Sequence, residues 1–404
     1  MGSYKFIAEN PIKKYHKSDV FLFASIIILC GIGMFTLFSS TQDYSEKFLG
    51  NSLTIVRRQF ICSLVGFAGL LFFWISNMKF IRKCLPFIVT AVFILCILTF
   101  IPGISIEKNG ARRWIRLPFN FSLQSSEFVK FAVVLFIANL FDKQLKIQNP
   151  EDKNIFPCVL GMLLFILLVF LQKDFSTSAF IFAVCVLMFI VSGMKIAWLF
   201  PLMTILIPLV VFSILTESYR LDRIIGFLNP EEGQLDINFQ SNRAKMAISA
   251  GGIWGEGIGV GIRESIKIPE VHADYIFACW AEAMGFIWVL IYFILLGFFA
   301  FRGYKAAWEN DDAFSSYACF GCVSMILFQS LMNCGVVCGL FPSTGIPLPF
   351  FSSGGSSIIV TLCMCGFILN VSRNNNEERP KISEDTYVQV NDINLNLLGG
   401  MIKK

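Results

Sequence analysis

Residues 155–192 read IFPCVLGMLLFILLVFLQKDFSTSAFIFAVCVLMFIVS. Two apolar runs, 155–172 and 174–192, are joined by a very short turn at Gln172-Lys173-Asp174-Phe175-Ser176-Thr177. A third run, 195–216, follows after Gly193-Met194-Lys195, so 174–192 and 195–216 form a tight helical hairpin. A helix needs roughly 20 apolar residues to cross a bilayer, whereas a membrane barrel strand needs only about 10. In lipid the backbone must satisfy its hydrogen bonds within the protein. Runs of this length therefore predict spanning helices.

Seven further runs of the same kind occur at 19–40, 55–76, 80–102, 124–142, 273–301, 313–340 and 351–372. The expected fold is an all-α polytopic membrane protein with about ten transmembrane helices. Composition agrees. The 404 residues are 55% hydrophobic and only 15% charged, and mean hydropathy is +0.68; a soluble domain is about 25% charged. A soluble globular enzyme, a disordered chain and a fibrous repeat are excluded. The net charge of +5 is scattered and leaves no nucleic-acid footprint. The 13 cysteines sit nearly all inside apolar runs, as small filler. Cys319/Cys322, Cys334/Cys338 and Cys363/Cys365 have near-metal spacing, but the chain holds only two His and no second ligand set, so no protein-built metal site is expected. The first 18 residues are polar and basic, and no cleavable signal peptide is expected.

Lys and Arg in the short loops set orientation. With the N-terminus inside, the inner segments hold 18 of them and the outer loops before residue 217 hold 8. N-in and C-in follows, in a bacterial inner (plasma) membrane once the family below is considered. The chain then divides into a cytoplasmic segment 1–18, a ten-helix domain 19–372 and a polar, disordered cytoplasmic tail 373–404. The loops 103–123, 217–272 and 341–352 all lie outside. The second, between helices 7 and 8, is long enough to be functional.

Six constellations fall on or beside that outer face. Gly110-Ala111-Arg112-Arg113-Trp114-Ile115 reads as a phosphate clamp or equally as an interfacial anchor. In Gln124-Ser125-Ser126-Glu127-Phe128-Val129-Lys130, Glu127 and Lys130 share a helix face; a packing ion pair is favoured over direct chemistry. Asp174 in the turn after Gln172 reads as a helix cap. Pro269-Glu270-Val271-His272-Ala273-Asp274-Tyr275-Ile276-Phe277 puts Asp274 at the N-terminus of the eighth span, as a cap or as a proton acceptor. Glu282 follows about 12 Å deeper along that helix, where it needs a partner or a cavity. The stretch 343–357, STGIPLPFFSSGGSS, reads as an anion-binding turn or a re-entrant packing loop. Gly251-Gly252-Ile253-Trp254-Gly255-Glu256-Gly257-Ile258-Gly259-Val260-Gly261 lacks the strand of a dinucleotide site and reads as a flexible part of the outer loop.

Taken together, these motifs resemble the SEDS family (shape, elongation, division and sporulation), which includes FtsW and RodA. Over residues 20–373 the family patterns GA-x-RWI, QPSE-x-x-K, Q-x-D-x-GT, SGG-x-x-G-x-G, PE-x-HTDFIF and GIPLPF-x-SYGGSS are matched in order by GARRWI, QSSEFVK, QKDFST, AGGIWGEGIG, PEVHADYIF and GIPLPFFSSGGSS. Departures are Ser125 for Pro, Ser176 for Gly, Ala273 for Thr and Ser353 for Tyr; the stretch from Arg263 to Glu270 looks more FtsW-like than RodA-like. The resemblance implies a peptidoglycan glycosyltransferase that polymerises lipid II during septal cell-wall synthesis. Asp274 would be general base, and Arg112, Arg113, Trp114, Arg243, Lys245, His272, Ser352 and Ser356 would contact substrate. Glu127, Lys130 and Glu282 would shape the cavity. No cofactor is certain, a divalent cation (magnesium or manganese) being the candidate. The resemblance also implies a class B penicillin-binding protein as transpeptidase partner, with other division or elongation proteins. A lipid II flippase, a RodA-type elongation polymerase and a non-catalytic scaffold are the alternatives.

Overall fold

The computed structural model describes residues 18–49, 52–108, 110–118, 121–147, 154–194, 235–257, 268 and 271–374, with isolated positions and stretches of two to four residues between 200 and 228. The expected segments 1–17, most of the seventh span and the tail from 375 lie outside the described residues. The described elements are α1 (Val20–Leu49), α2 (Thr54–Ile75), α3 (Met78–Leu98), β1 (Ser105–Lys108), β2 (Ala111–Arg116), β3 (Ser122–Gln124), α4 (Ser125–Leu145), α5 (Phe156–Leu171), α6 (Phe175–Val191), α7 (Leu235–Gly251), α8 (Val271–Asp274), α9 (Ile276–Trp308), α10 (Ala313–Val337) and α11 (Gly355–Asn374).

Among the described residues six helices are long and apolar enough to cross a membrane: α1, α2, α3, α9, α10 and α11. The chain is a multi-pass membrane protein, and the count of ten is not reached on these residues. α5 and α6 are apolar but only 16 and 17 residues long. α4 carries Glu127, Lys130 and Asp142, all buried, so it is an interior helix with a polar face.

Burial separates centre from rim. In α10 and α11, 72% and 83% of the spanning window is buried, against 28% in α2 and 22% in α3. The rim helices expose Phe60, Phe72, Phe80 and Phe87, as a lipid-facing surface does. Small residues bring the centre together, which is how helices pack where lipid removes the hydrophobic drive. A Cβ on Gly366 would lie 2.2 Å from the Leu70 carbonyl oxygen, so α2 and α11 touch backbone to backbone. Asn370 finishes that contact. Its Nδ2 donates to Phe73 O and Ser76 O at the C-terminal end of α2.

Four sequence expectations need correction. First, the molecule is not all-α: the loop 103–123 folds as a three-stranded antiparallel sheet, β1-β2-β3. A register shift at Ile106/Glu107 places Glu107 opposite Arg112, and the two pair at 3.1 Å. Second, the 217–272 loop contains α7. Its glycine-rich continuation is docked where described: Glu256 N donates to Glu282 O, and Phe286 N donates to Gly252 O. These bonds fill the gap opened by Gly285, whose φ of 78° breaks α9. Third, the span read as 273–301 begins at Ile276, kinks at Gly285 and continues to Trp308. Fourth, the last helix starts at Gly355: Pro347 and Pro349 keep the residues before them out of the helical region, and 349–353 form a turn. Gly193, at φ 71°, ends α6, and most of the second arm of the expected hairpin lies outside the described residues.

Candidate functional site

The sheet delivers the first part of the site. β3 runs straight into α4, so Gln124, Ser125 and Ser126 stand at the helix start. Asp174 sits before α6 and is 3% exposed. It occupies the N-cap position yet makes no side-chain cap bond, so the capping role expected for it is not what its carboxylate does. Ser126 Oγ donates to it at 2.8 Å, Gln124 Nε2 at 3.3 Å, and Arg113 Nη1 lies 3.4 Å away. Arg113 also donates to Lys173 O, while its Nε has no acceptor among the described residues. Beside it, Ser125 Oγ donates to Gln172 Oε1 at 3.0 Å. A neutralised, hydrogen-bonded carboxylate is the tolerable form of a buried charge.

Behind the helix start, Lys130 Nζ lies 2.7 Å from Glu127 Oε1 and donates to Gln329 Oε1 at 2.8 Å. Lys130 is fully buried and Glu127 is 2% exposed. This is the packing ion pair expected from the sequence spacing. Glu282, also placed with that pair, is 1% exposed on α9, in the turn before the Gly285 kink.

The segment 341–354, irregular as far as 348 and then a turn at 349–353, carries the centre of the site. Gln329 Nε2 donates to Pro347 O, Asn333 Nδ2 to Ile346 O, and Gln59 Nε2 to Ser352 O. Phe350 takes a φ of 69°, a strained value for a bulky residue. It is held by packing: Phe350 meets Phe299, and Phe351 meets Trp280 and Tyr292. Ser352 Oγ accepts from Leu348 N, and Ser356 Oγ accepts from Gln124 N. Both serines are buried, and these bonds shape the loop.

Against this loop lies α8. Ser353 N donates to His272 O at 2.9 Å, and Asn333 Nδ2 donates to Asp274 O at 2.8 Å. A Cβ on Gly345 would come 3.5 Å from Asp274 Oδ2, so the carboxylate faces the turn where only glycine stands. Gly345 itself has φ 71°. Asp274 and His272 are both half-buried. Asp274 closes α8, and Tyr275 is the N-cap of α9, so Asp274 is not the cap of the long helix.

The remaining candidates lie further out. Arg112 is partly exposed with Glu107, and Trp114 pairs with Gln124 across the sheet. On α7, the Arg243 guanidinium lies 5.3 Å from the Phe239 ring, and the Lys245 side chain lies over Gly339 at the C-terminal end of α10. An ammonium there is favoured by the helix dipole. Arg223 donates to Ser343 O at 2.9 Å. Between α1 and α9, a small apolar depression of about 10 Å³, room for about one water, is lined by Phe35, Thr36, Ser39, Cys279, Trp280, Ala283 and Met284.

The structure thus joins five of the six motifs directly. Arg113, Gln124 and Asp174 form one centre, Gln124–Ser356 and Lys130–Gln329–Pro347 connect it to the Pro/Gly/Ser loop, and that loop holds Asp274. Among the described residues the glycine-rich motif meets them through α9. Gln59, Gln329 and Asn333 were missed in the sequence. Gln329 and Asn333 are two amides four residues apart in an apolar span, and polar groups at membrane depth mark function by default. No three His, Cys, Asp or Glu side chains converge among the described residues, so these residues do not form a cage for a divalent cation.

Comparison with known proteins places these features in a family. Residues 20–377 match the family described as Cell cycle protein, FTSW_RODA_SPOVE. Stage V sporulation protein E of Bacillus subtilis is 32% identical over 357 residues, which cover 88% of this chain and 97% of that protein. A Geobacter protein named "Probable peptidoglycan glycosyltransferase FtsW" is 30% identical over 88% of this chain and 96% of its own length. Among solved structures, a chain from a peptidoglycan synthase complex superposes with a TM-score of 0.72 at 23% identity, covering 89% of this chain and 99% of that one. The rod shape determining protein RodA of Thermus thermophilus superposes at 0.64 with 22% identity, covering 89% and 98%. These two establish the shared fold.

Proposed function

We propose, because this chain belongs to the FtsW/RodA/SpoVE family of cell cycle proteins, also called SEDS, that it is a peptidoglycan glycosyltransferase polymerising lipid II on the outer face of the inner membrane. The observation that carries this reading is the placing of Asp274. Its carboxylate stands half-buried against Gly345, in a loop to which the other outer motifs are bonded. Several relatives carry the name FtsW, and the septal role is preferred over elongation on that ground.

In the proposed reaction Asp274 takes the proton from the 4-hydroxyl of the acceptor sugar. The oxygen attacks the anomeric carbon of the donor, the bond to polyprenyl pyrophosphate breaks, and configuration inverts. The leaving group departs with its electron pair as an anion. Arg113 supports that charge with a guanidinium that Asp174 and the Lys173 carbonyl hold in place. Arg112, Trp114, Arg243, Lys245 and His272 line the approach. Ser352 and Ser356 act on substrate through the loop they hold, and Glu127, Lys130 and Glu282 keep the interior in shape. The lipid tail stays in the bilayer. Orientation is N-in and C-in. Crosslinking is left to a class B penicillin-binding protein within a division complex.

The test is incubation of the purified chain and its transpeptidase partner with fluorescent lipid II. Glycan strands with β-linkages are expected. Movement of lipid II across vesicles without strands would favour the flippase reading.

A further inference from the structure

We propose that Asn333, backed by Gln329 one turn away, is a positioning residue that fixes Asp274 at the height where it meets the acceptor hydroxyl. This rests on the reading of Asp274 as proton acceptor. Asn333 is 2% exposed on α10, inside a span that is otherwise largely apolar. Its single Nδ2 uses both hydrogens, one on Asp274 O and one on Ile346 O, each at 2.8 Å. That amide therefore locks the segment bearing Asp274 to the loop bearing Gly345, the two walls of the site. Gln329, 3% exposed and on the same helix face, repeats the arrangement below it. It donates to Pro347 O and accepts from Lys130, whose ammonium is held by Glu127. Two successive loop carbonyls are thus gripped from α10, and the lower grip ends on a buried charge pair.

The hold on Asp274 is on its backbone, so losing it moves the carboxylate without changing its chemistry. A displacement near 1 Å at a reacting group costs about 10²-fold in rate. Ionisable groups on the elements around Asn333 include His272 and Asp274 on α8, Cys279, Glu282 and Tyr292 on α9, Arg243 and Lys245 on α7, and Glu127 and Lys130 on α4. Arg223 is bonded to the loop at Ser343.

The test uses full-length protein with its partner and compares wild type, Asn333→Leu, Asn333→Asp and Asp274→Asn in lipid II polymerisation. Asn333→Leu is expected to lose about 10- to 100-fold in kcat with KM nearly unchanged. Asn333→Asp presents a carboxylate to two carbonyl oxygens and regains a donor only when protonated. Its activity relative to wild type should therefore rise as pH falls from about 8 to about 6. With activity taken per folded, partner-bound protein, a residue that merely stabilised the fold would give no such rise. If Asn333→Leu fails to fold, the pH profile of Asn333→Asp decides. Wild-type kcat in Asn333→Leu, or a flat ratio for a folded Asn333→Asp, overturns the inference and leaves Asp274 untouched. Full activity in Asp274→Asn overturns both readings, and a wild type that makes no strands defeats the transferase reading itself.

Discussion

Two aspartates, each standing just before a helix, meet opposite fates. Asp174 is almost wholly buried, and its carboxylate is occupied by Ser126, Gln124 and Arg113. Asp274 is half-buried, and the bond that places it runs through its backbone carbonyl to Asn333. One carboxylate is bound into the frame. The other is carried by the frame and faces a glycine turn. A carboxylate buried among donors organises the frame, whereas a half-buried one set through its main chain keeps access to solvent.

The largest effect on stability should come from the buried pair that backs the frame. Lys130→Met strands Glu127 in the interior, and about 3–5 kcal/mol of stability should be lost. Lys130→Met with Glu127→Leu should recover much of that in thermal unfolding in detergent, because no charge is then stranded. Next comes Gly285→Ala. A Cβ there would lie 2.3 Å from Gly255 N, at a backbone angle that favours glycine. About 1–3 kcal/mol is expected, together with exposure of the 252–257 segment to proteolysis. Asp174→Asn keeps the shape but weakens the hold on Arg113. It should cost about 1–3 kcal/mol in unfolding and retain strand synthesis. The smallest effect is at the sheet's rim. Arg112 and Glu107 are both partly exposed, so Glu107→Gln should shift stability by less than about 1 kcal/mol. Strand synthesis unaffected by salt in that variant would confirm that the pair is peripheral.

Much of this was legible in residue order, and the failures have physical causes. Long apolar runs marked the spanning helices, because only intra-segment hydrogen bonding survives in lipid. The three-residue spacing of Glu127 and Lys130 marked their pairing. The sheet at 105–124 was not legible. Its strands are three to six residues long, and its Arg-Arg-Trp stretch has the composition of an interfacial anchor. Asp174 looked like a cap because capping is local, whereas its partners Gln124 and Ser126 stand about fifty residues away in sequence. Asn333 and Gln329 were hidden by the apolar neighbours around them. Their partners are loop carbonyls, which leave no mark in side-chain patterns.

The contrast between the two aspartates is tested most directly by strand synthesis from labelled lipid II, with wild type, Asp274→Asn and Asp174→Asn each bound to the same transpeptidase partner. The account predicts that Asp274→Asn folds, binds its partner and loses about 10²- to 10⁴-fold in rate, while Asp174→Asn still makes strands with a lowered melting temperature. Strand synthesis at the wild-type rate by a folded Asp274→Asn would contradict it.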